Sequence, residues 1–333
     1  MQRFLNDPDD IVDETVRGFV RAHADRVRLC DGNARVVVAR DAPVSGKVGI
    51  VTGGGSGHEP AFVGYTGAGM VDATAIGELF SSPTAKSFHD AIKAADGGAG
   101  VVVLYGNYAG DNMNVKMASR MAAKDGVEVL TVVANDDVSS APPEEREKRR
   151  GVAGEIFMWK IGGAKAAEGA DAAAVRDAAQ GAIDACRSVG VGLAPCTLPA
   201  VGHPNFSIEA GTMEMGIGHH GEPGTSVTKL GTADEIASEM TRIVLDDHDL
   251  PSGTEVAVLV SGLGATPRGE LYVLYDRMAR DIEDRGLKIH KAYVGDYFTS
   301  LEMVGATLTV MALDDERKRL LAASTDCPAF GAA

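Results

Sequence analysis

The stretch Val48–Pro60, with the sequence VGIVTGGGSGHEP, decides the expected fold of this chain. Its first five residues, Val48–Thr52, predict a buried strand that leads directly into a glycine-rich turn. Glycine permits positive φ angles and a close approach of the backbone to a ligand, and Pro60 restricts the exit of the turn. A strand followed by such a loop is typical of α/β proteins that bind ligands at the carboxyl ends of their strands.

Strand-like and helical segments alternate on the C-terminal side of this stretch. Near-continuous Val/Leu runs at Gly100–Tyr105 and Val127–Val133 are typical of strands covered on both faces of a sheet. Helices are predicted over 82–95, with Ser82 as N-cap and Pro83 in the first turn, and over 112–124. The charged segment 139–150, which contains two prolines, is interpreted as a solvated loop.

The second half of the chain has the same alternating character. The alanine-rich segment 154–190 predicts mainly helix. Further elements are expected as a helix at 234–245, a strand at 255–261, a helix at 266–285, and strands at 289–294 and 307–312. The fold class is therefore α/β, with two packed α/β domains, residues 1–187 and residues 188–333.

Composition excludes several other classes of protein. The 333 residues, 45% hydrophobic and 24% charged, are typical of a globular chain long enough for two domains. A formal net charge of −15 argues against a nucleic-acid or anionic-membrane partner. No run approaches the roughly 18 apolar residues of a membrane span, and the first residues lack an apolar signal stretch. The four cysteines are scattered, as buried thiols are, so we expect a cytoplasmic protein.

Two histidine loops are the candidate functional elements. His58 ends the first glycine turn, and 218–224 (GHHGEPG) forms a second turn in which Glu-Pro again follows the histidine motif. A neutral imidazole can act near pH 7 as a nucleophile or a proton carrier. We expect both loops to surround one small ligand, with only one of His219 and His220 pointing into the pocket, because neighbouring side chains diverge. The pattern indicates an enzyme.

Several other residues are candidates for the same site. Asp111 follows the strand that ends at Tyr105, and it is either the N-cap of the next helix or a functional carboxylate; the two roles are compatible. Glu59 and Glu222 are candidates to orient the histidines beside them. His203 is interpreted as a loop histidine that could also line the cleft.

Common nucleotide- and metal-binding patterns fail their specific tests. Lys47 follows a glycine but is followed by valine, so the GxxxxGK[ST] phosphate loop is missing from the sequence. A GxGxxG pattern begins at Gly216, but Pro223 follows at once, and the helix that would receive a pyrophosphate is not predicted. HExxH and similar metal-ligand spacings do not occur. The sequence therefore predicts no metal site and disfavours a dinucleotide-binding enzyme.

Ordered motifs along nearly the whole chain resemble those of one known family. They are Leu5-Asn6-Asp7, Gly53–Pro60, Gly77–Thr84, Asn107–Asp111, Arg149–Ala153, Cys196–Pro199, Gly218–Gly224 and Leu263–Pro267. Together they are similar to the dihydroxyacetone kinase K subunit, the ketose-binding component of these kinases. The fold that this resemblance implies is the two-domain α/β fold of that subunit.

The resemblance implies covalent binding of the substrate. In the family, the histidine of Gly-x-His-Gly-Glu-Pro-Gly adds to the substrate carbonyl as a hemiaminal, and His220 holds that position here. By the same resemblance, His58 and Asp111 hydrogen-bond the substrate hydroxyls and handle the proton of the hydroxyl that is phosphorylated, and either of them could be the base. The backbone would line the pocket at Gly55, Ser56 and Gly57.

One departure from the family pattern bears on the substrate. Relatives commonly carry a lysine just before Asn107, where this chain has Gly106. We therefore expect Gly106 to give the substrate pocket more room and to favour a larger ketose, such as four-carbon erythrulose. The loss of the lysine also keeps open an alternative, a non-catalytic paralogue that binds the ketone and acts as a regulator.

The resemblance also implies partners. This chain binds no cofactor of its own in that scheme, because Mg-ATP or Mg-ADP is carried by a separate nucleotide-binding L subunit. Where the nucleotide is ADP, a phosphotransferase-system protein recharges it. The expected assembly is a homodimer of this chain together with the L subunit.

Overall fold

The computed structural model describes residues 2–204 and 206–330, and these residues form two six-stranded sheets with helices packed on them. The strands of the first sheet are β1 (Val27–Cys30), β2 (Asn33–Ala39), β3 (Gly49–Ser56), β4 (Ala73–Leu79), β5 (Val101–Gly106) and β6 (Val129–Ala134). Their order in space is β1-β2-β4-β3-β5-β6. Strands β4, β3, β5 and β6 run parallel to one another, whereas β2 is antiparallel to both β1 and β4.

The second sheet is mainly antiparallel. Its strands are β7 (Cys186–Ala194), β8 (Thr212–Met215), β9 (Ser226–Lys229), β10 (Glu255–Gly262), β11 (Lys288–Gly295) and β12 (Val304–Leu313), in the order β11-β10-β12-β7-β8-β9. The pair β10 and β11 is parallel, and the other neighbours are antiparallel. The predicted α/β class is confirmed, with mixed rather than purely parallel sheets.

The helices pack against these sheets and against each other. They are α1 (Ile11–Ala22), α2 (Ala85–Ala95), α3 (Ala109–Lys124), α4 (Glu155–Ala167), α5 (Ala172–Asp184), α6 (Ala233–His248), α7 (Arg268–Asp284) and α8 (Asp315–Leu321). Helix α4 is buried on nearly all sides, as expected for a helix with apolar residues around its whole circumference. Its side chains join one hydrophobic core cluster with residues of both sheets.

The glycine run at 53–55 belongs to a strand rather than to a flexible turn. Strand β3 continues through Ser56, and within the segment 53–57 only Gly57 has a positive φ (96°). Glycine is required within the strand because neighbours pack directly on its backbone: a Cβ at Gly54 would lie 2.1 Å from the Phe62 ring. The predicted turn is therefore shorter than the sequence pattern indicates.

Two other local predictions are corrected by the structure. The N-cap of α2 is Thr84, whose hydroxyl accepts a hydrogen bond from the Ser87 backbone N–H, and the expected cap Ser82 lies outside the helix. The alanine-rich segment is helical only up to Asp184, because Cys186 begins a strand that pairs with β12. Pairing with a distant strand outweighs local helix propensity there.

The segment 139–150 is not simply a solvated loop. The Arg149 side chain is 1% exposed, and it donates to both carboxylate oxygens of Asp247 in α6, at 2.9 and 2.6 Å. Arg187 donates to the same carboxylate at 2.5 Å. Arg149 of this segment thus forms a buried ion pair with the second half of the chain. The number of charges in a segment does not tell a segment with a buried ion pair from a solvated loop.

Asp247→Ala should lower the free energy of unfolding by about 3–5 kcal/mol, because it leaves the buried Arg149 without its counter-charge. Urea unfolding measures the difference. The matched control is Asp246→Ala, which removes a half-exposed carboxylate paired with Arg242 and Arg285 and should cost less than about 1 kcal/mol. Equal losses in the two variants would contradict a stabilising role for the buried pair.

The two sheets coincide broadly with the two halves of the chain. The first sheet ends at Ala134 and the second begins at Cys186, and the helices between them join the shared core cluster. The division into domains at residues 187 and 188 stays a prediction. Within the described parts of the chain, no helix is long and apolar enough to cross a membrane.

Candidate active site

A cavity of about 170 Å³ lies where the carboxyl ends of β3 and β5 meet loops from the second half of the chain. The predicted site residues in its wall are Gly55, His58, Gly106, Asp111, His219 and His220. Ser56 and Gly57 are not part of the wall: the Ser56 hydroxyl donates to the Gly77 carbonyl, and the Gly57 N–H donates to the Glu59 carboxylate. The volume suits a ligand of a few carbon atoms, well below drug-sized sites of ~300–1,000 Å³.

His58 is held in one orientation and one tautomer. Its Nδ1 lies 2.7 Å from the carbonyl oxygen of Thr299, which can only accept, so Nδ1 carries the hydrogen and Nε2 carries a lone pair. The ring is buried and stacks on Phe80, with 4.9 Å between the ring centroids. Burial, followed by the neighbouring His220, lowers the pKa of His58 well below its usual value, so this imidazole is neutral at physiological pH.

His220 is oriented by the second residue after it. Its Nδ1 lies 2.8 Å from Oε1 of Glu222, and its backbone N–H donates to Oε2 of the same carboxylate at 2.9 Å. Burial alone would raise the pKa of Glu222, but the hydrogen bond to His220 holds that pKa at about 2. The carboxylate is therefore ionised and can only accept, so Nδ1 of His220 carries a hydrogen, and in the neutral ring the lone pair is on Nε2.

The two imidazoles meet at the cavity. Nε2 of His58 and Nε2 of His220 are 3.1 Å apart. When both rings are neutral, each of these two atoms carries a lone pair and no hydrogen. Lone pairs that face each other can hold one proton, or one of them can attack an electrophilic carbon that enters the cavity. His220 is the better-activated nucleophile of the two, because an ionised carboxylate accepts its Nδ1 hydrogen.

Asp111 lies within the first turn of α3 rather than at its cap, because the helix begins at Ala109 with Tyr108 as N-cap. The N-cap interpretation of Asp111 is therefore wrong. The carboxylate is 8% exposed and accepts a hydrogen bond from the Ser82 hydroxyl at 2.9 Å. Burial raises the pKa of Asp111 to about 6, so the group is mainly ionised at neutral pH but can take up a proton.

The remaining candidates differ in position. His219 lines the cavity as His220 does, so the expectation that only one of the pair faces the pocket is not confirmed. The His219 ring is buried, its Nε2 lies 3.1 Å from the Thr307 hydroxyl, and burial lowers its pKa to about 3. His203 is exposed and outside the cavity wall. The carboxylate of Glu59 accepts from Gly57, so the carbonyl of Thr299, and not Glu59, orients His58. Among the described residues, no group of three or more potential ligands is placed to hold a metal ion.

Sequence reasoning did not assign three polar side chains of the cavity wall to the site, and these are Ser82, Tyr108 and Glu155. Glu155, the first residue of α4, is fully buried, and neither carboxyl oxygen has a hydrogen-bond partner within residues 2–204 and 206–330. A Cβ on Gly106 would lie 2.6 Å from Oε1 of Glu155, so this carboxyl group takes part of the room that Gly106 frees. An acid next to the apolar run Ile156–Trp159 was the available signal.

The chain is similar to known proteins over nearly its whole length. A family model described as the Dak1 domain matches residues 17–329. The dihydroxyacetone-binding subunit DhaK of a PTS-dependent dihydroxyacetone kinase 2 from Listeria innocua is 41% identical over 99% of both chains. An L-erythrulose 1-kinase from Mycolicibacterium smegmatis is 40% identical over 99% of this chain, which spans 58% of that kinase.

Solved structures show the same relationship. A dihydroxyacetone kinase operon co-activator, Dha-DhaQ, superimposes with a TM-score of 0.89 at 31% identity, over 96% of this chain and 98% of the co-activator. Both a nearly full-length family model and nearly full-length relatives therefore match. The chain belongs to the Dak1-domain family, the family of dihydroxyacetone kinase K subunits.

Proposed function

We propose that this chain is the substrate-binding subunit of a dihydroxyacetone-type kinase and holds a short ketose covalently on His220. The observation that carries the proposal is the 2.8 Å contact between Nδ1 of His220 and the Glu222 carboxylate at the wall of a small cavity, because it makes Nε2 the nucleophilic atom of the neutral ring. The relatives support the reaction class, since one is named as a dihydroxyacetone-binding kinase subunit and another as an erythrulose kinase.

The covalent step is an addition to the ketone. Nε2 of His220 forms a bond to the carbonyl carbon, and the π electron pair of the C=O bond moves to the oxygen, which takes up a proton from solvent. The ring keeps its hydrogen on Nδ1, and the ionised carboxylate of Glu222 balances the positive charge that the ring gains in the hemiaminal. A polyol such as glycerol lacks the carbonyl and is excluded by this step.

Phosphoryl transfer then needs a base and a partner. Asp111, ionised above about pH 6, accepts the proton of the terminal hydroxyl as the phosphoryl group arrives. His58 stays neutral and accepts a hydrogen bond from a substrate hydroxyl through Nε2. The phosphoryl donor is Mg-ATP, or Mg-ADP recharged by a phosphotransferase-system protein, on a nucleotide-carrying L subunit, with this chain as a homodimer. A PTS-dependent relative supports the second route.

The test of this function uses ketones labelled with ¹³C at the carbonyl carbon. On addition of the chain to labelled dihydroxyacetone or erythrulose, we expect the ketone signal to be replaced by that of a tetrahedral carbon. Turnover is then measured with candidate L subunits and each donor. A wild-type chain that gives no tetrahedral signal with either ketone contradicts the proposal.

A regulatory function is the second candidate, because the co-activator superimposes on nearly the whole chain. The same experiment separates the two functions. An adduct that no L subunit and donor can phosphorylate indicates a ketone-binding regulator. Turnover with any of them indicates the kinase subunit.

Gly106→Lys should reduce the preference for erythrulose over dihydroxyacetone by roughly tenfold, since the lysine fills space beside the ligand. The preference is measured as the ratio of the dissociation constants of the two ketones. Gly106→Ala is the matched control, because it adds the same Cβ beside Glu155 without the ammonium group. If the lysine variant keeps the wild-type ratio, Gly106 does not set the size of the ketose.

A further inference from the structure

Glu155 is buried in a way that a structural carboxyl group would not be. It opens helix α4, its side chain is fully buried, and both of its oxygens lack partners among residues 2–204 and 206–330. An unpartnered polar group in the interior costs free energy, and an ionised one costs far more. The protein tolerates this cost at a residue that lines the ligand cavity.

A neighbouring carboxylate provides the contrast. Asp136 is buried as well, but it accepts hydrogen bonds from the Val152 and Gly154 backbone N–H groups and from the Ser188 hydroxyl, at 3.1, 2.9 and 2.5 Å. Asp136 therefore fixes the start of α4, and its oxygens are hydrogen-bonded within the protein. The oxygens of Glu155, in the same turn, have no such partners among the described residues.

The charge state of Glu155 follows from its surroundings. Burial, followed by the nearby carboxylates Asp136 and Asp111, raises the pKa of Glu155 well above its usual value. Both this direction and the lack of a partner for either oxygen favour the neutral, protonated form of the carboxyl group. A neutral carboxyl offers one O–H donor and one C=O acceptor to a ligand.

The polar groups of the cavity can be matched against the hydroxyls of the ligand. Dihydroxyacetone has two hydroxyl groups, and in the proposed function these are met by His58 and Asp111. Two hydroxyl side chains of the same wall already have protein partners, because Tyr108 donates to the Gly151 carbonyl and Ser82 donates to Asp111. Glu155 also lines this wall, both of its oxygens lack partners in the described part of the chain, and the absence of a side chain at Gly106 leaves space for its carboxyl. A four-carbon ketose brings a third hydroxyl group.

We propose that Glu155 is a specificity-determining residue whose carboxyl group hydrogen-bonds the additional hydroxyl of a four-carbon ketose. This inference rests on the proposed function, because it assumes that a ketose occupies the cavity. It predicts that removal of the carboxyl group weakens erythrulose binding and leaves dihydroxyacetone binding nearly unchanged.

The experiment compares Glu155→Leu with Glu155→Gln. Dissociation constants for carbonyl-labelled erythrulose and dihydroxyacetone are measured by ¹³C NMR titration of the chain alone. For the leucine variant we expect erythrulose binding to weaken at least tenfold and dihydroxyacetone binding to change less than about threefold. Glutamine keeps a donor and an acceptor in the same place, so it should retain most of the erythrulose preference.

Thermal unfolding separates a role in ligand binding from a structural role, because the loss of a structural residue would lower the Tm. Because leucine replaces an unpartnered acid with an apolar group, the leucine variant should have a Tm no lower than that of the wild type. If that variant does not fold, Glu155→Ala, which adds no branching, is compared in the same way. Equal weakening of both ketones, or an unchanged ratio, overturns the inference. A wild-type chain that binds neither ketone instead overturns the proposed function.

Discussion

His220→Ala should abolish the tetrahedral ¹³C signal of a bound ketone and lower kcat/KM on the order of 10³-fold or more. The substitution removes Nε2, the atom proposed to bond to the carbonyl carbon, while the rest of the cavity wall remains. Without the covalent bond, a ligand of three or four carbons has little surface with which to bind and is poorly positioned for phosphoryl transfer.

The control for this variant is His203→Ala, which removes an exposed imidazole outside the cavity and should leave signal and turnover at wild-type levels. A tetrahedral signal that persists in His220→Ala would show that another nucleophile forms the adduct. The first alternative to examine would then be His58, whose Nε2 lies 3.1 Å from that of His220.

Asp111→Asn should lower kcat by about 10²–10⁴-fold and leave the ketone adduct in place. The amide keeps the shape of the side chain and a partner for the Ser82 hydroxyl, but it does not accept the proton of the phosphorylated hydroxyl. Turnover is measured with an L subunit and donor that support the wild type, and the adduct is measured separately by ¹³C NMR. Loss of the adduct in this variant would mean that Asp111 acts in binding.

The pH dependence assigns the base. The pKa of Asp111 is raised to about 6, so its basic form predominates above that pH and is lost as the pH falls through it. Wild-type kcat should therefore decline tenfold per pH unit below about 6. Burial lowers the pKa of His58 well below its usual value, so we assign the loss of activity near pH 6 to Asp111 and not to His58. A limb that remains at the same pH in Asp111→Asn would assign the titration to another group.

Much of the fold could be predicted because it is encoded locally. The Val/Leu runs around 101–106 and 129–134 became β5 and β6, and the helix expected after Asp111 begins three residues earlier than predicted. The errors arose where distant parts of the chain decide the outcome. Cys186 begins a strand because β12 pairs with it, and Arg149 is buried because Asp247 faces it.

The candidate site divides in the same way. His58 and His220 were predicted from their glycine-bracketed loops, and their close approach was expected from the shared motif. Thr299 could not be found from sequence, since its contribution is a backbone carbonyl 241 residues from His58. Glu155 was missed because an acid at the start of a helix is ordinarily explained by the helix dipole, and only the structure shows its lack of partners.

The two walls of the cavity come from different sheets, with His58 and Asp111 on one side and His220 and Phe298 on the other. A ketose bound in this cavity would therefore contact both walls and link the two halves of the chain. Any ligand that binds the native chain alone adds stability, about 2.7 kcal/mol at a hundredfold excess over its Kd. Under the proposed function, protease susceptibility should fall as the ketose becomes abundant, and the lifetime of the protein in a cell should then follow the supply of that ketose.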